Sequence, residues 1–222
     1  MKPFFSLQNV SFSYDDNCIF ETINLDFFRQ EVIVISGENG TGKTTLCKIL
    51  FRLYKQFSGD ILFEEKDLPG IDIDYITSKI SFIQEQTQHG FLGATPDEDL
   101  AIWQHKFQRR DDETFKAKRN AIFERFGINH ISNKPIWELS SGQQKMVVLA
   151  SLLLNMHKFW ILDDPLFSLD SNGINTLLSI LAQHKLSGSG ALIATQRPHI
   201  FSLVADSIYE IKGKKLSPVL GK

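Results

Sequence analysis

One octapeptide, residues 37–44, limits the possible folds of this chain more than any other feature. Its sequence, Gly-Glu-Asn-Gly-Thr-Gly-Lys-Thr, fits the pattern G-x-x-x-x-G-K-[ST] of a phosphate-binding loop, or P-loop. The apolar run Val32–Ile35 before it predicts a buried strand, and the stretch from Thr45 to Tyr54 predicts a helix. This order of strand, glycine-rich loop and helix predicts an α/β fold that binds nucleoside phosphates.

The residue types of this loop suit the binding of an anion. Its three glycines allow the backbone to curl so that successive N–H groups point at phosphate oxygens. We expect Lys43 to reach the β- and γ-phosphates of the nucleotide and the Thr44 hydroxyl to bind Mg²⁺. The predicted nucleotide-binding residues here are Gly37, Asn39, Gly40, Thr41, Gly42, Lys43, Thr44 and Thr45.

Composition excludes several classes of protein. The 222 residues are 42% hydrophobic and 23% charged, which is typical of a soluble globular protein with one substantial core. A net charge of −2 gives no electrostatic reason to expect nucleic acid as a partner. The only cysteines, Cys18 and Cys47, lack metal-site spacing and indicate a reducing, cytosolic location.

Neither the N-terminus nor the most apolar stretch indicates direct insertion into a membrane. The chain starts with Met-Lys-Pro-Phe-Phe and then polar residues, so no signal peptide is evident. The stretch Met146–Leu162 is too short for a membrane span and is interrupted by Asn155, His157 and Lys158. We interpret it as a helix followed by a strand, and we expect any membrane role to come through a partner.

Apolar runs along the chain predict alternating strands and helices. The first thirty residues alternate apolar and polar, which predicts a small antiparallel sheet. Buried strands, separated mostly by helical stretches, are predicted at Ile80–Ile83, Phe159–Leu162, Ala191–Ala194 and Ile208–Ile211.

The region between residues 84 and 158 has a different pattern, typical of a helical insert. Asp111 or Asp112 is suited to cap a helix that Gly127 would end. The apolar face of this helix would consist of Phe115, Ile122, Phe123 and Phe126.

Two acids follow a predicted strand at the position where a nucleotide site needs a metal ligand. The run Phe-Trp-Ile-Leu ends in Asp163 and Asp164. Asp163 fits the Walker B role, in which a carboxylate holds Mg²⁺ directly or through water.

Just upstream of this strand, Leu-Ser-Ser-Gly-Gln occupies residues 139–143. Here the chain resembles ATP-binding cassette (ABC) ATPases, whose signature reads L-S-G-G-Q. The resemblance implies that this segment opens a helix that caps the γ-phosphate of ATP on the opposite subunit. Ser141 replaces the first glycine of the signature, whereas Ser140, Gly142 and Gln143 match it.

The resemblance covers almost the whole chain and implies further site residues. Tyr14 occupies the position of an aromatic residue that stacks on adenine, although it could also be an ordinary strand tyrosine. Gln84 resembles the Q-loop glutamine that reaches the metal; Gln86 and Gln88 are less suitable because neither directly follows the strand. The segment Ser168, Leu169 and Asp170 resembles the D-loop, which crosses the dimer interface.

Two residues depart from the family where it carries out hydrolysis. Asp164 replaces the usual glutamate, the general base, and its side chain is shorter by about 1.5 Å. Gln196 replaces the usual histidine near the γ-phosphate and cannot carry charge. Together with Lys43 they form the predicted catalytic set, and we hypothesise a site that binds MgATP well but hydrolyses it slowly. The alternative is that both replacements are adequate.

The segment from Gly93 to Trp103 favours one type of transporter. Its sequence, Gly-Ala-Thr-Pro-Asp-Glu-Asp-Leu-Ala-Ile-Trp, resembles the G-A-T-V-E-E-D-V-A-F-G stretch of energy-coupling-factor ATPases, which serve vitamin and cobalt or nickel importers. The acids at 97–99 could equally be a helix start. Unlike that group, the chain ends soon after Ile211.

Three alternatives to this importer function stay open. Residues 139–144 and 160–163 resemble the L-S-x-G-Q-Q and W-I-L-D segments of the cytochrome c maturation ATPase, which handles haem export. A generic small exporter ATPase and a non-catalytic ATP-sensing subunit of a heterodimer are the other two.

The resulting prediction is one ABC ATPase domain over residues 1–222 that binds ATP and Mg²⁺. It comprises an antiparallel β region (1–30), an α/β core (31–83 and 159–222) and a helical subdomain (84–158). Its implied partners are a second ABC ATPase subunit, in a homodimer or preferably a heterodimer, and a transmembrane subunit, with the chain on the cytoplasmic face of the membrane. Candidate apolar contacts to that subunit, unless they are core residues, are Phe91, Trp103 and Phe107.

Overall fold

The structure is a computed structural model that describes residues 2–86, 90–107, 113–154 and 159–220. Two compact units make up the chain. The first comprises Met1–Phe82, Lys158–Pro165 and Leu181–Lys222, and the second comprises Ile83–His157 and Leu166–Ile180. Leu166–Ile180 falls within the predicted α/β core range of 159–222 but belongs to the second unit, where a Cβ on Gly173 would lie 3.3 Å from Sδ of Met146.

Ten strands and six helices are described. In chain order they are β1 (Phe5–Tyr14), β2 (Asn17–Phe27), β3 (Val32–Ser36), α1 (Lys43–Leu50), β4 (Ser58–Phe63), β5 (Lys66–Asp67), α2 (Ile73–Thr77), β6 (Ile80–Ile83), α3 (Pro96–Phe107), α4 (Glu113–Phe126), α5 (Ser141–Ser151), β7 (Phe159–Asp163), α6 (Ser171–Leu186), β8 (Gly190–Thr195), β9 (Ser207–Lys212) and β10 (Lys215–Leu220).

The first unit contains an antiparallel sheet of four strands in the order β2-β1-β4-β5. The alternating pattern of the first thirty residues therefore correctly predicts an antiparallel β region. Strands β4 and β5 lie outside the predicted limits of that region. Strand β4 joins the sheet because it directs Ile61 and Phe63 into the core, opposite Leu7 and Phe5 of β1. Strand β5 then pairs with β4.

A second sheet has six strands in the order β10-β9-β3-β8-β7-β6. Strand β3 is parallel to both β8 and β9, and β7 is parallel to β8. Every residue of β3, β7 and β8 is buried, as expected for strands covered on both faces. This confirms the predicted α/β fold. The added edge strand β10 was not predicted because it is mostly exposed and contains Pro218.

Helix α1 and the two sheets form the core of the first unit. Leu46 and Leu50 of α1 are fully buried in the same cluster as the inward side chains of both sheets. Phe4 of the N-terminal region packs against Phe63 and Phe159, with ring centroids 4.9 and 5.0 Å apart. Many phenylalanines are therefore core residues.

Trp160 of β7 lies against α6. Its ring stacks on that of His184 with centroids 3.5 Å apart and planes inclined by 12°. Nε2 of His184 lies 3.1 Å from the carbonyl oxygen of Gly190. His184 of α6 therefore contacts both β7 and the start of β8.

Helix α1 ends at Leu50, four residues before the predicted end at Tyr54. Arg52 adopts a left-handed backbone with φ 61°, and the N–H of Leu53 turns back to donate to the carbonyl of Lys48. This turn satisfies a carbonyl at the helix end, so the helix stops there.

The second unit is mainly helical. Helix α4 ends at Phe126, and Gly127 follows it with a positive φ of 66°, as predicted. Asp111, Asp112 and the side chain of Phe115, which were predicted to begin and line this helix, lie outside the described residues. Among the helices of the described ranges, none combines the length and the apolar character that a membrane span requires.

Candidate nucleotide-binding site

The P-loop connects β3 to α1, and close packing requires two of its three glycines, Gly37 and Gly42. A Cβ atom on Gly42, whose φ is 98°, would lie 2.5 Å from Cγ2 of Ile19 and 2.8 Å from Cδ1 of Phe20. One on Gly37 would lie 2.8 Å from the carbonyl oxygen of Ile211. The loop thus fits closely against β2 and β9, and no larger residue fits at either position.

Three side chains converge at the start of α1. Lys43 Nζ donates hydrogen bonds to the carbonyl oxygens of Gly37 and Glu38, both at 2.8 Å. The Thr44 hydroxyl donates to Oδ1 of Asp163 at 3.0 Å, and Asp163 is only 3% exposed. The positive end of the helix, an ammonium group and a buried carboxylate therefore lie together.

This arrangement fits Mg²⁺ and a nucleoside phosphate. Thr44 and Asp163 present two adjacent hard oxygen atoms, the ligand type that Mg²⁺ prefers when it also binds phosphates and water. Within the described ranges no group of three or more His, Cys, Asp or Glu side chains could hold a metal. A site of this kind does not need one, because phosphate and water supply the remaining ligands.

Tyr14 lies at the end of β1, beside α1. Its hydroxyl is 3.3 Å from Oγ1 of Thr45, the residue after Thr44, and its ring meets those of Phe12 and Tyr54 edge-on. The side chain is 44% exposed, and partial burial raises the pKa of its hydroxyl. The structure therefore places Tyr14 near the loop with part of its surface accessible.

The two residues that depart from the family lie at the ends of neighbouring strands. Asp164 follows β7 and has a left-handed backbone with φ 36°, and its N–H donates to the carbonyl of Ala194 at 2.9 Å. Gln196 follows β8, and its Nε2 donates a hydrogen bond to Oδ1 of Asn39 in the P-loop. The structure thus brings Gln196 to the predicted nucleotide loop.

In the second unit, the predicted signature segment begins helix α5. Ser140 is the N-cap residue and forms a capping box with Gln143, since each side chain accepts a hydrogen bond from the other residue's N–H. Ser141 is the first helical residue and is exposed, so replacing glycine there meets no steric conflict.

The signature and the predicted D-loop lie in contact within this unit. A Cβ on Gly142 would lie 2.7 Å from the carbonyl oxygen of Ser168. Ser168 itself has a left-handed backbone with φ 65°. Asp170 caps α6, because its Oδ1 accepts the N–H of Gly173 at 2.7 Å, and Leu169 lies beside the same glycine.

Gln84 directly follows β6, and its side chain is exposed. Gln86 is exposed as well, and Gln88 lies outside the described residues. Of the three predicted apolar contacts, Phe91 and Trp103 are half-buried, and the side chain of Phe107 lies outside the described residues.

The acids at 97–99 form the first turn of α3, and each holds a neighbouring segment. Asp99 is 1% exposed, and its Oδ1 accepts the N–H groups of Leu92 and Gly93 at 2.7 and 3.2 Å. Burial raises the pKa of its carboxyl, although these hydrogen bonds oppose the shift. Glu98 accepts the N–H of Ala94, and Asp97 pairs with Arg119.

Two further residues of α5 were missed by sequence reasoning. Gln144 Nε2 donates to the carbonyl oxygens of Ile136 and Leu139. Lys145 is 1% exposed, and its Nζ donates to the carbonyl oxygens of Gln84 and Glu85 at 3.1 and 3.0 Å. A lysine within an apolar helical stretch is a sequence feature that could have indicated Lys145. A sequence does not show, however, which backbone carbonyls a side chain contacts.

Comparison with known proteins decides the family. The family model described as ABC transporter matches residues 20–167, about two thirds of the chain. The chain belongs to the ABC transporter family. The predicted resemblance is therefore confirmed, and the chain is an ABC-type ATPase, a subunit that couples ATP hydrolysis to transport.

Relatives of two kinds resemble this ABC ATPase about equally. The cytochrome c biogenesis ATP-binding export protein CcmA of Yersinia pestis is 31% identical over 190 residues, which cover 86% of this chain and 84% of CcmA. The energy-coupling factor transporter ATP-binding protein EcfA2 of Clostridium perfringens is 31% identical over 210 residues, which cover 93% of this chain and 73% of EcfA2.

Solved structures share the fold. CbiO1 of Clostridium perfringens, part of the ABC transporter complex CbiONQ, has a TM-score of 0.80 at 27% identity over 98% of this chain and 88% of its own. The dimeric bacterial ABC transporter cassette MJ0796 has a TM-score of 0.83 at 21% identity, over 98% of this chain and all of its own. The second likeness concerns the fold alone.

Proposed function

We propose that the P-loop of this ABC ATPase binds the phosphates of ATP and that Thr44 and Asp163 hold the accompanying Mg²⁺. The hydrogen bond between these two side chains carries the proposal, because it joins two oxygen ligands at the N-terminus of α1. Bound Mg²⁺ would neutralise charge on the phosphates. Lys43 would exchange its two loop carbonyls for β- and γ-phosphate oxygens.

The exposed part of Tyr14 would stack on the adenine base. Support comes from its place beside Thr45 and from the fixed edge-on packing of its ring against Tyr54. An aromatic face held in this way adds binding energy without contacting the phosphates.

We further propose that hydrolysis at this site is slow. Asp164 would take the proton of the attacking water, and Gln196 would donate a hydrogen bond to the γ-phosphate. The N–H of Asp164 is bonded to the carbonyl of Ala194. A backbone shift that made up for the shorter reach of the Asp164 side chain would have to break this bond. A misplacement of about 1 Å in such a group can reduce the rate about a hundredfold.

A slow site suits an asymmetric pair of ATPases. In a head-to-tail dimer, Ser140, Ser141, Gly142 and Gln143 would face ATP bound to the partner, and Ser168 to Asp170 would lie at the interface. Because the signature is nearly complete, this chain would still support hydrolysis on the partner's P-loop. We therefore favour a heterodimer with a second, different ABC ATPase, joined to a transmembrane subunit on the cytoplasmic face of the membrane.

The transporter type we favour is an energy-coupling-factor importer of a vitamin or metal ion. Two observations support it: EcfA2 aligns with 93% of this chain, and CbiO1 is 27% identical over 98% of this chain. The sequence resemblance of the segment 93–103 to those ATPases adds to this support, whereas the role of its acids at the start of α3 does not depend on the transporter type.

Haem export in cytochrome c maturation is the second candidate. CcmA supports it because its alignment covers similar shares of both chains, 86% and 84%. A non-catalytic subunit that senses ATP within a heterodimer is a third possibility, and it would have the same nucleotide-binding residues.

Nucleotide binding to the purified chain tests the site itself. We expect an ATP analogue to bind more tightly with Mg²⁺ than with EDTA, and Thr44→Val to remove most of this difference while preserving the fold. Equal affinity of wild type and Thr44→Val in the presence of Mg²⁺ would contradict the assignment. Robust ATP turnover by the chain alone would refute the slow site.

Partner identification tests the transporter type. The chain would be isolated from its own cells in mild detergent and the bound proteins identified by mass spectrometry. A second ABC ATPase together with an energy-coupling transmembrane protein would support the importer and the heterodimer. Recovery of haem-handling membrane subunits with this ATPase alone would replace that proposal with haem export.

A further inference from the structure

A buried lysine connects two predicted functional segments of the second unit. Lys145 lies in the second turn of α5, and its Nζ donates to the carbonyl oxygens of Gln84 and Glu85 at 3.1 and 3.0 Å. The residue is only 1% exposed, so its ammonium group depends on partners within the protein rather than on water. The backbone directly after β6 supplies two of these partners.

The dependence is mutual. If the segment at 84–85 moved away, a buried positive charge would lose two acceptors, and two carbonyl oxygens would lose their donor. Movement of this segment without α5 is therefore energetically costly. Since the side chain has four methylene groups, small joint movements of α5 and the segment would keep the bonds intact.

The start of α5 is itself firmly held. Ser140 and Gln143 cap each other, and the neighbouring Gln144 donates to the carbonyls of Ile136 and Leu139. The helix therefore moves as one piece with the residues of the predicted signature. Through its hydrogen bonds, Lys145 connects the helix that carries the predicted signature to the backbone at Gln84.

We propose that Lys145 is a positioning residue for hydrolysis, which sets the place of Gln84 according to the position of the signature helix. The inference rests on the proposed roles of Gln84 at the metal and of Ser140 to Gln143 at the partner's ATP. Lys145 itself touches neither nucleotide. Its effect on turnover is exerted through Gln84.

A double-mutant cycle on the full chain tests this inference, in the assembly recovered from its cells and with the P-loop lysine of the partner ATPase replaced, so that turnover reports only the site on this chain's P-loop. The variants are Lys145→Met, Gln84→Ala and the pair, with kcat, KM for ATP and thermal unfolding measured for each. We expect Lys145→Met to lower kcat about tenfold with KM changed by about twofold or less, because positioning and not ATP binding is lost. In the Gln84→Ala background the same substitution would change kcat by less than about twofold.

Additive losses in the two backgrounds would overturn the proposal, because they would mean that Lys145 acts independently of Gln84. Lys185→Met is the control, since Lys185 Nζ also donates from a helix to a backbone carbonyl, that of Val204, at 2.9 Å, and it pairs in addition with Asp206 at 2.9 Å. It should leave kcat unchanged. An equal loss in Lys185→Met would show a general effect of removing a lysine with partners inside the protein and would also overturn the proposal.

Lys145→Arg keeps the cycle informative if Lys145→Met does not fold. Wild-type turnover in this variant supports the proposal, because arginine retains the charge and the donors. If Lys145→Arg lowers kcat, this loss must disappear when Gln84→Ala is also present. A loss of kcat that is additive in the double variant overturns the proposal. A failure of the proposed function itself has a different result: MgATP binding to the purified chain would be insensitive to both Lys43→Ala and Thr44→Val.

Discussion

In the first unit the P-loop lies between a fully buried strand, β3, and helix α1, whereas in the second unit the signature segment depends on polar side chains. Packing of Gly37 and Gly42 against neighbouring strands fixes the loop, and Lys43 adds hydrogen bonds to two of its carbonyls. At the start of α5, Gly142 packs closely against Ser168, and hydrogen bonds from Ser140, Gln144 and Lys145 hold the segment.

This difference separates two requirements of an ABC ATPase. A phosphate-binding loop must keep its shape before ATP arrives, and close packing in a dense core provides such rigidity. A segment that meets a partner's nucleotide must be able to shift as a body, and hydrogen bonds between side chains and backbone allow such movement without unfolding. Substitutions in the two units should therefore have different consequences.

Removing the P-loop ammonium should have the largest effect. We expect Lys43→Ala to lower kcat at this chain's own site about a thousandfold and to weaken MgATP binding. The reason is that no other described residue at the start of α1 has a positive charge that could reach the phosphates. Steady-state turnover and equilibrium binding measure both effects. Lys55→Ala, which removes an exposed lysine, is the control and should behave like wild type.

Enlarging Gly142 should reduce hydrolysis while sparing nucleotide binding. The new Cβ would lie 2.7 Å from the Ser168 carbonyl, so the D-loop or the start of α5 must move. We expect Gly142→Ala to lower kcat of the dimer about a hundredfold with unchanged ATP affinity of the isolated chain.

Gly70→Ala is the matched control for this substitution, since no atom lies within 4 Å of the added carbon. Loss of ATP binding in Gly142→Ala would show that the second unit affects the nucleotide loop of the first unit. That result would contradict the proposed division of roles between the two units.

Restoring the usual hydrolytic residues should raise turnover. We expect Asp164→Glu combined with Gln196→His to increase kcat at this chain's own site about tenfold, measured in the native assembly with the partner ATPase's P-loop inactivated, because the base gains reach and the second group becomes able to carry charge. Glutamate is less favourable than aspartate at a φ of 36°, which limits the gain. An unchanged rate would mean that Asp164 and Gln196 suffice, and Lys43→Ala should abolish any gain.

The smallest effect concerns stability of the second unit as a function of pH. Because the folded-state pKa of Asp99 is raised, mainly by burial, the folded state binds its proton more tightly than the unfolded state. Wild-type stability from this group is therefore fully present below pH 3.8 and declines as pH rises through the folded pKa.

Asp99→Asn removes this titration and keeps an oxygen that can accept the N–H of Leu92. We expect the stability of Asp99→Asn relative to wild type to increase from pH 3.8 upward and then level off, as measured by denaturant unfolding at several pH values. A difference that does not vary with pH would contradict the raised pKa.

The sequence allowed the first unit to be predicted well because its signals are local. Strands β3, β7 and β8 contain continuous apolar runs, and the P-loop pattern fixes the chemistry of the loop. The pairing of β4 with β1 and the addition of β10 escaped prediction, since both depend on distant partners and β10 has an exposed, proline-containing sequence.

In the candidate site, residue types were predictable and contacts were not. The sequence places Asp163 after a strand, but it does not state that its carboxylate accepts the Thr44 hydroxyl. Asp170 was assigned to a D-loop, and its cap on α6 became visible only with the backbone. Lys145 was missed for the same reason, because its acceptors are carbonyl groups that every residue possesses.

The burial of Trp160 has an optical consequence. The chain has three tryptophans, of which Trp160 is buried in the first unit, whereas in the second unit Trp137 is 73% exposed and Trp103 is half-buried. Indole emission shifts to shorter wavelength when the ring leaves water. In a Trp103→Phe variant, short-wavelength fluorescence would therefore report on the first unit and long-wavelength fluorescence on the second. The two bands would then show whether the two units unfold together on heating.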